Sequence, residues 1–405
     1  MTDVPASPGA DRRVDLDWLR IVAFGLLILY HIGLFYVSWG WHVKSSRASD
    51  AIEPLMRLVN PWRLDLLMFI SGVATRFMAE KVSAGAMAVT RFHRLFWPLV
   101  FGVFIIVPPQ AYYEMVEAVA RAGPAASPAF TGDPWAFYRS YITAQYAMAA
   151  EGGRLVMPTW NHLWFVAYLL VYTMLLCLVM PLVRRIPAEI VSATTFLVAP
   201  FFFLWATRAV LFPTFGDTHA LVDDWYNHVT FGGLFLLGFV IARADAPFET
   251  AMRWRWRALA IAVLAWLGAL MFDAHSDIAI VHQGAFFGRG FRSLQTWAAI
   301  IALLGFARRH WSSDSPARRY LTDAIFPFYI IHQTVIVVAA HHLDSLLWPV
   351  ALEAAVLIAI TAAACLVGYE IVRGNGFLRP FFGLRPVAKA TSRGTALPSD
   401  TSGPT

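Results

Sequence analysis

The sequence predicts an all-α fold: a polytopic membrane helix bundle of about ten transmembrane helices with both termini cytoplasmic. Three observations carry this. Hydrophobic residues make up 58% of the 405-residue chain and charged residues only 14%, against about 25% charged in a soluble domain. Apolar runs recur at the roughly 17–25 residues a bilayer crossing needs. Lys and Arg concentrate on alternate connections between those runs. Together these exclude a disordered chain, a soluble enzyme and a disulfide scaffold. Cys177 and Cys365 both lie inside apolar runs, so a structural disulfide is not expected.

The crossing segments read as 18–39, 62–79, 95–113, 162–183, 190–212, 228–242, 258–272, 291–307, 324–341 and 347–371. The sixth and seventh are short, which tilt or burial within protein accommodates. The first is longer than a signal core of about 7–15 residues. Its best cleavage candidate, Ser38-Trp39-Gly40 before Trp41, is poor, so it is read as a retained anchor. With the N-terminus inside, 22 of the 32 Lys and Arg fall on cytoplasmic connections and 10 on outer ones. The domain expected is one membrane unit over 1–386, followed by a disordered cytoplasmic tail, 387–405, rich in Ser, Thr, Pro and Gly.

The longest connection, about 114–161, lies outside and carries Trp135, Phe137, Tyr138, Tyr141 and Tyr146. These rings suit stacking on sugars and interfacial anchoring equally. Arg253-Trp254-Arg255-Trp256-Arg257 fits the cytoplasmic headgroup layer. No internal repeat is evident.

Ionisable groups in membrane helices are costly, so each asks for a reason. The first helix holds the sharpest case. At about 100° per residue, Asp17, Arg20, Phe24, Leu27 and His31 form one stripe, with Arg20 and His31 about 16 Å apart along the axis. Asp17 and Arg20, three apart, can pair. His31 sits where an imidazole can serve as a base near neutral pH, and the alternative is a histidine bonded to a neighbouring helix. Arg91 and Arg94 share a face at the cytoplasmic entrance of the third helix. Their forks suit phosphate oxygens, though ordinary topology or anionic lipid explains them as well. Arg63 and Asp65 enter the second helix from outside, and Ser71-Gly72 permits close packing. Further polar intrusions are Asn161, His162 and Trp164, then Tyr329, His332 and Gln333, with Arg289 and Arg292 flanking Gly290. The sequence holds no GxxxxGK[ST], HExxH, CxxC or GxSxG motif, so no metal site is expected.

The ordered set resembles the acyltransferase-3 family of integral membrane acyltransferases, and most its glucan-biosynthesis branch, which succinylates periplasmic glucans. The matching pieces are Asp15-Leu16-Asp17-Trp18-Leu19-Arg20 leading to Tyr30-His31, Leu67-Met68-Phe69-Ile70-Ser71-Gly72, Arg91-x-x-Arg94-Leu95 with Pro98, His162-Leu163-Trp164-Phe165, Phe326-Pro327-Phe328-Tyr329-Ile330-Ile331-His332-Gln333, and Leu378-Arg379-Pro380-Phe381-Phe382-Gly383-Leu384. The resemblance implies transfer of an acyl group, acetyl or succinyl, from cytoplasmic acyl-CoA to a carbohydrate hydroxyl at a bacterial-type inner membrane. It places the family's first-helix histidine at His31, its entrance arginine at Arg20, and its paired arginines at Arg91 and Arg94. The expected partners are acyl-CoA, a carbohydrate acceptor and membrane lipids, without nucleic acid.

On this reading His31 is the base, with Arg20 and Asp17 holding the inner end of the site. Arg91 and Arg94 grip CoA phosphates, and Trp164, Tyr329 and His332 are candidate donors to the oxyanion or substrate. A proton-coupled transporter or flippase is the rival, since a buried histidine and membrane arginines serve it too.

Overall fold

The computed structural model describes residues 13–122, 130–144, 147–150, 153–275 and 284–386. The expected tail, 387–405, and Tyr146 lie outside them. In chain order the elements are α1 (Val14–Tyr36), α2 (Glu53–Ala79), α3 (Ala84–Phe101), a π turn (Gly102–Ile106), α4 (Pro108–Ala122) and α5 (Pro134–Ile142). A short antiparallel hairpin follows, β1 (Ala147–Ala150) and β2 (Gly153–Val156). Then come α6 (Trp164–Val183), α7 (Ala193–Val210), the one-turn α8 (Phe212–Phe215), α9 (Trp225–Ile241), α10 (Asp245–Ala274), α11 (Ala285–His310), α12 (Pro316–Asp344) and α13 (Val350–Gly374).

Each of the ten expected segments coincides with a helix, α3, the π turn and α4 forming one continuous rod. Eight helices among the described residues are long and apolar enough to cross a membrane. The other two are α9, with 17 residues, and α2, which carries Arg63, Asp65 and further charges. These two pack against each other, where α2 buries Leu66 to Ile70 and α9 buries Phe231, Leu234 and Phe235. A helix shielded by protein need be neither long nor uniformly apolar. The seventh segment is not short: α10 runs 30 residues, carrying the Arg253–Arg257 stretch as helix rather than as a flank.

Contact between α2 and α9 is set by glycine. A Cβ on Gly72 would fall on the carbonyl of Phe235, and one on Gly238 on the carbonyl of Phe69. The obstacle is backbone in both cases, so nothing can rotate away. Ser71 beside it turns its hydroxyl to the Leu67 carbonyl at 2.7 Å. Gly72→Ala is therefore expected to separate the two helices, at a cost of about 1–3 kcal/mol, seen as a lower unfolding temperature in detergent. An unchanged unfolding temperature would show that the helices are not held at this distance.

Both ends of the described chain lie on one face of the bundle. Asp17 at the start of α1 meets Arg318 at the start of α12 at 2.5 Å, and the Trp18 indole donates to the Ser313 carbonyl at 3.3 Å. The segment after α13 returns to α3, where Phe101 touches Phe381 at 5.1 Å and Phe382 at 5.5 Å between ring centroids. Gly383 there has φ +67, and a Cβ on it would strike Phe326.

Candidate active site

The π turn shapes one wall of the site. A π turn shifts carbonyls out of the regular α ladder, and here hydroxyls meet them. Thr334 donates to the Ile106 carbonyl at 2.7 Å, Tyr138 to that of Phe104 at 3.2 Å, and the Tyr141 hydroxyl lies 2.9 Å from that of Val103. Two of the outer-loop tyrosines thus fasten the loop to the bundle. Phe137 and Tyr141 are buried with Ala111, Met115 and Met157. Of the four that lie among the described residues, Trp135 alone is exposed, at 67%.

Beside this wall lies a cavity of about 470 Å³. Its mouth is formed by residues of three connections: Gly40, Trp41 and His42; Thr159, Trp160 and Asn161; Thr218 and His219. All belong to the face opposite the chain ends. Its floor is Leu27, Leu64, Phe165 and Tyr329. Phe24 packs edge-on beneath Tyr329, 5.6 Å between centroids. Between mouth and floor stand His31, Arg63, His162 and Gln333.

His31 is paired. Its Nδ1 lies 2.9 Å from His332 Nε2, with the ring planes 7° apart. His332 Nδ1 in turn faces the carbonyls of Tyr329 at 2.8 Å and Phe328 at 3.2 Å. Carbonyl oxygens only accept, so His332 Nδ1 carries the hydrogen. For a neutral pair, Nε2 of His332 then accepts from the Nδ1–H of His31. That leaves His31 Nε2 with a free lone pair. The tautomer follows from the helix geometry of α12 rather than from a carboxylate.

A second chain of polar contacts runs along the same wall. The Nδ1–H of His42 meets Glu114 at 2.5 Å. The amide of Gln333 donates to His42 Nε2 at 2.9 Å and to Gln110 Oε1 at 3.0 Å. Asn161 also donates to Gln110 Oε1 at 3.0 Å, and Gln110 donates to Thr334 at 2.7 Å. His162 Nε2 donates to the Ile330 carbonyl at 3.1 Å. This chain locks α4, the turn that leads into α6, and α12 together around the histidine pair.

Three arginines cluster at the face bearing the chain ends. Arg91 and Arg94 each lie within electrostatic reach of Arg20, and Arg94 also of Arg385 and Asp323. Arg94 is exposed. Arg91 is partly buried, with Nη2 3.4 Å from the Thr75 hydroxyl and Nε lacking a hydrogen bond among the described residues.

A family model described as an acyltransferase domain matches residues 13–370. The chain belongs to the acyltransferase-3 family. Curated relatives include the glucans biosynthesis protein C of Escherichia coli strain K12 and that of E. coli O139:H28. Each is 23% identical over 362 residues, covering 82% of this chain and 83% of the relative. No solved structure matches significantly. The protein is thus a multi-pass membrane acyltransferase.

The acyltransferase brings some of the residues singled out in its sequence together and separates others. His31, Trp164 and Tyr329 line the cavity, and His332 stands directly behind His31. Arg20, Arg91 and Arg94 gather at the other end and take no part in the cavity lining. Asp17 pairs with Arg20 at 3.6 Å, as their spacing predicts, but its closer partner is Arg318, which is 1% exposed. The candidate oxyanion donors differ in what they can offer. The Tyr329 hydroxyl is committed to the His162 carbonyl, and both nitrogens of His332 are engaged. Trp164 stacks between His219, at 3.8 Å, and Phe231. Sequence reasoning did not single out His42, Gln110, Glu114, His219 or Arg318. The Gln110 amide follows a Pro-Pro pair at the end of an apolar run, the one signal that marked its position.

Proposed function

We propose that this enzyme moves an acyl group from cytoplasmic acyl-CoA to a hydroxyl of a carbohydrate, such as a periplasmic glucan or surface polysaccharide, at a bacterial inner membrane. The observation that carries the reading is His31. It presents an unprotonated Nε2 in a cavity that opens on the face opposite the arginine cluster. A hydroxyl becomes an effective nucleophile when a base takes its proton. The positive-inside bias assigns the arginine face to the cytoplasm and the cavity mouth to the outside. The acceptor then enters past Trp41 and Trp160, whose faces suit sugar rings. The donor is held by Arg91 and Arg94 at the inner mouth, and its pantetheine arm passes the layer of Phe24, Leu27 and Phe165 to reach His31. The name of the E. coli relatives supports a glucan acceptor. Succinyl and acetyl are the acyl groups to try first.

The test is purified protein in proteoliposomes with acyl-CoA on the arginine side and oligosaccharide on the other. Release of free CoA that depends on the acceptor, with mass gain on the glycan, is the expected result. Movement of a solute with no acyl turnover would select the transporter reading instead.

His332 acts through His31, as a positioning residue. His332→Ala is expected to lower kcat by roughly 10- to 100-fold, a fraction of what a base contributes, with KM little changed. His332→Gln, whose side-chain oxygen can accept from His31 Nδ1, should recover part of the loss. Equal rates in both variants would show that the pairing does not set the His31 tautomer.

A further inference from the structure

Among the described residues, Arg63 is the one charged side chain in the cavity wall that neither the sequence motifs nor the proposed chemistry uses. It is 6% exposed, and it lines the cavity with His31. Its guanidinium lies flat over the Tyr30 ring, 3.5 Å from the centroid, and Tyr30 precedes His31 on α1. Nη1 donates to the backbone and side-chain oxygens of Asn60. Nε is buried without a hydrogen bond, and the carboxylates of Asp217 and Asp65 act on Arg63 only through their charge, with no ion pair among the described residues. A buried membrane arginine normally pairs with a carboxylate or fills its donor capacity. Asp65, two residues along α2, lies about 200° around the helix. The charge of Arg63 is felt at His31 itself. The residue is thus a fixed, buried cation with a spare donor in the same cavity wall as His31.

Two of the other donor candidates are spent. The Tyr329 hydroxyl binds the His162 carbonyl, and His332 has no free N–H. We propose that Arg63 is a catalytic residue whose guanidinium receives the oxyanion formed when an acceptor hydroxyl attacks an acyl thioester beside His31. This rests on the reading that acyl transfer takes place at His31.

The step balances as follows. The acceptor oxygen bonds to the thioester carbonyl carbon while its proton passes to His31 Nε2. The carbonyl π pair moves onto its oxygen, where the N–H groups of Arg63 meet it. When that pair re-forms the double bond, the carbon–sulfur bond breaks, and the departing thiolate takes the proton from His31. Products are the ester and free CoA thiol, and both side chains return to their starting states. A cation preorganised out of water costs no rearrangement when charge develops, which is why such donors are worth much in catalysis.

The experiment compares Arg63→Gln, Arg63→Lys, Arg63→Ala and His31→Ala in proteoliposomes, with a neutral acetyl donor and a carboxylate-bearing succinyl donor. Arg63→Gln is expected to lose about 10²–10³ in kcat with both donors, with KM little changed. Arg63→Lys should retain an intermediate rate. Methylguanidinium added to Arg63→Ala should restore turnover, and should restore none in His31→Ala. Rescue requires a folded cavity, so it separates chemistry from stability; should Arg63→Ala not fold, Arg63→Lys decides. Wild-type kcat in Arg63→Gln alongside an inactive His31→Ala overturns this assignment and leaves the function standing. A rise in KM confined to the succinyl donor also overturns it, making Arg63 an anion-binding group. Wild-type turnover in His31→Ala removes the underlying reading instead.

Discussion

His31→Ala and His31→Gln are expected to lower kcat for acyl transfer by about 10²–10⁴-fold, the range that a positioned general base contributes. The two variants answer different questions. Alanine removes the ring and enlarges the cavity, so its loss mixes chemistry with packing. Glutamine keeps much of the volume, and its amide can still donate to His332 Nε2, which preserves the α1–α12 contact at 2.9 Å. It cannot take a proton at neutral pH. A loss shared by both variants, with acyl-CoA affinity and unfolding temperature unchanged, assigns the fall to the missing lone pair. Wild-type rates in both would remove His31 from the reaction. An intermediate result, with glutamine active and alanine inactive, would make the ring a structural bridge between α1 and α12. The contrast also separates His31 from His332, whose loss should be smaller and partly recoverable by glutamine.

The helices were legible because hydropathy is a local property. Even α2 stood out, its Leu66–Ile70 run showing through Arg63 and Asp65. The length of α10 was not legible, because Arg253, Arg255 and Arg257 interrupt hydropathy without interrupting the helix. The stripe on α1 was legible from helical period alone, and the Asp17–Arg20 pair is one result of it. What the stripe could not disclose is what lies across from it. His31 meets His332 and Asp17 meets Arg318, each pair 301 residues apart. No spacing rule reaches that distance. Both histidines carried a signal as polar groups in apolar runs, but a lone membrane histidine reads equally as a packing device. Only their pairing, with α12 carbonyls fixing the tautomer, leaves one of them with the free lone pair that the proposed base needs. The outer loop shows the opposite case. Its tyrosines suited sugar stacking and interfacial anchoring equally, yet Tyr138 and Tyr141 turn to the carbonyls of a π turn that no hydropathy profile reveals.

Arg91→Ala and Arg94→Ala are each expected to raise KM for acyl-CoA about 10- to 100-fold, the range of one hydrogen bond to a charged group, about 1.5–3 kcal/mol. Arg91 feels the charges of Arg94 and Arg20, and Arg94 those of Arg20 and Arg385, with Asp323 the one carboxylate that reaches the pair among the described residues. A cluster of like charges is unfavourable by itself and becomes favourable when a polyanion sits on it. CoA brings a diphosphate and a 3′-phosphate. The two arginines should not respond alike. Arg94 is exposed and therefore screened, so its contribution should fade as salt rises toward 0.15 M, where the Debye length is about 8 Å. Arg91 is partly buried against Thr75, so its contribution should persist. Acyl-dephospho-CoA supplies the matching change on the ligand. If one arginine holds the 3′-phosphate, removing that phosphate should weaken binding to the wild type and leave that variant unaffected. Unchanged KM in both single variants would return the pair to its topological role. Neither substitution should alter the response of kcat to His31→Gln, because the arginines act on the phosphates and His31 on the thioester, at opposite ends of the arm that crosses the layer of Leu27 and Phe165. Coupling between the two sites would mean instead that the grip on the phosphates sets where the thioester sits against His31.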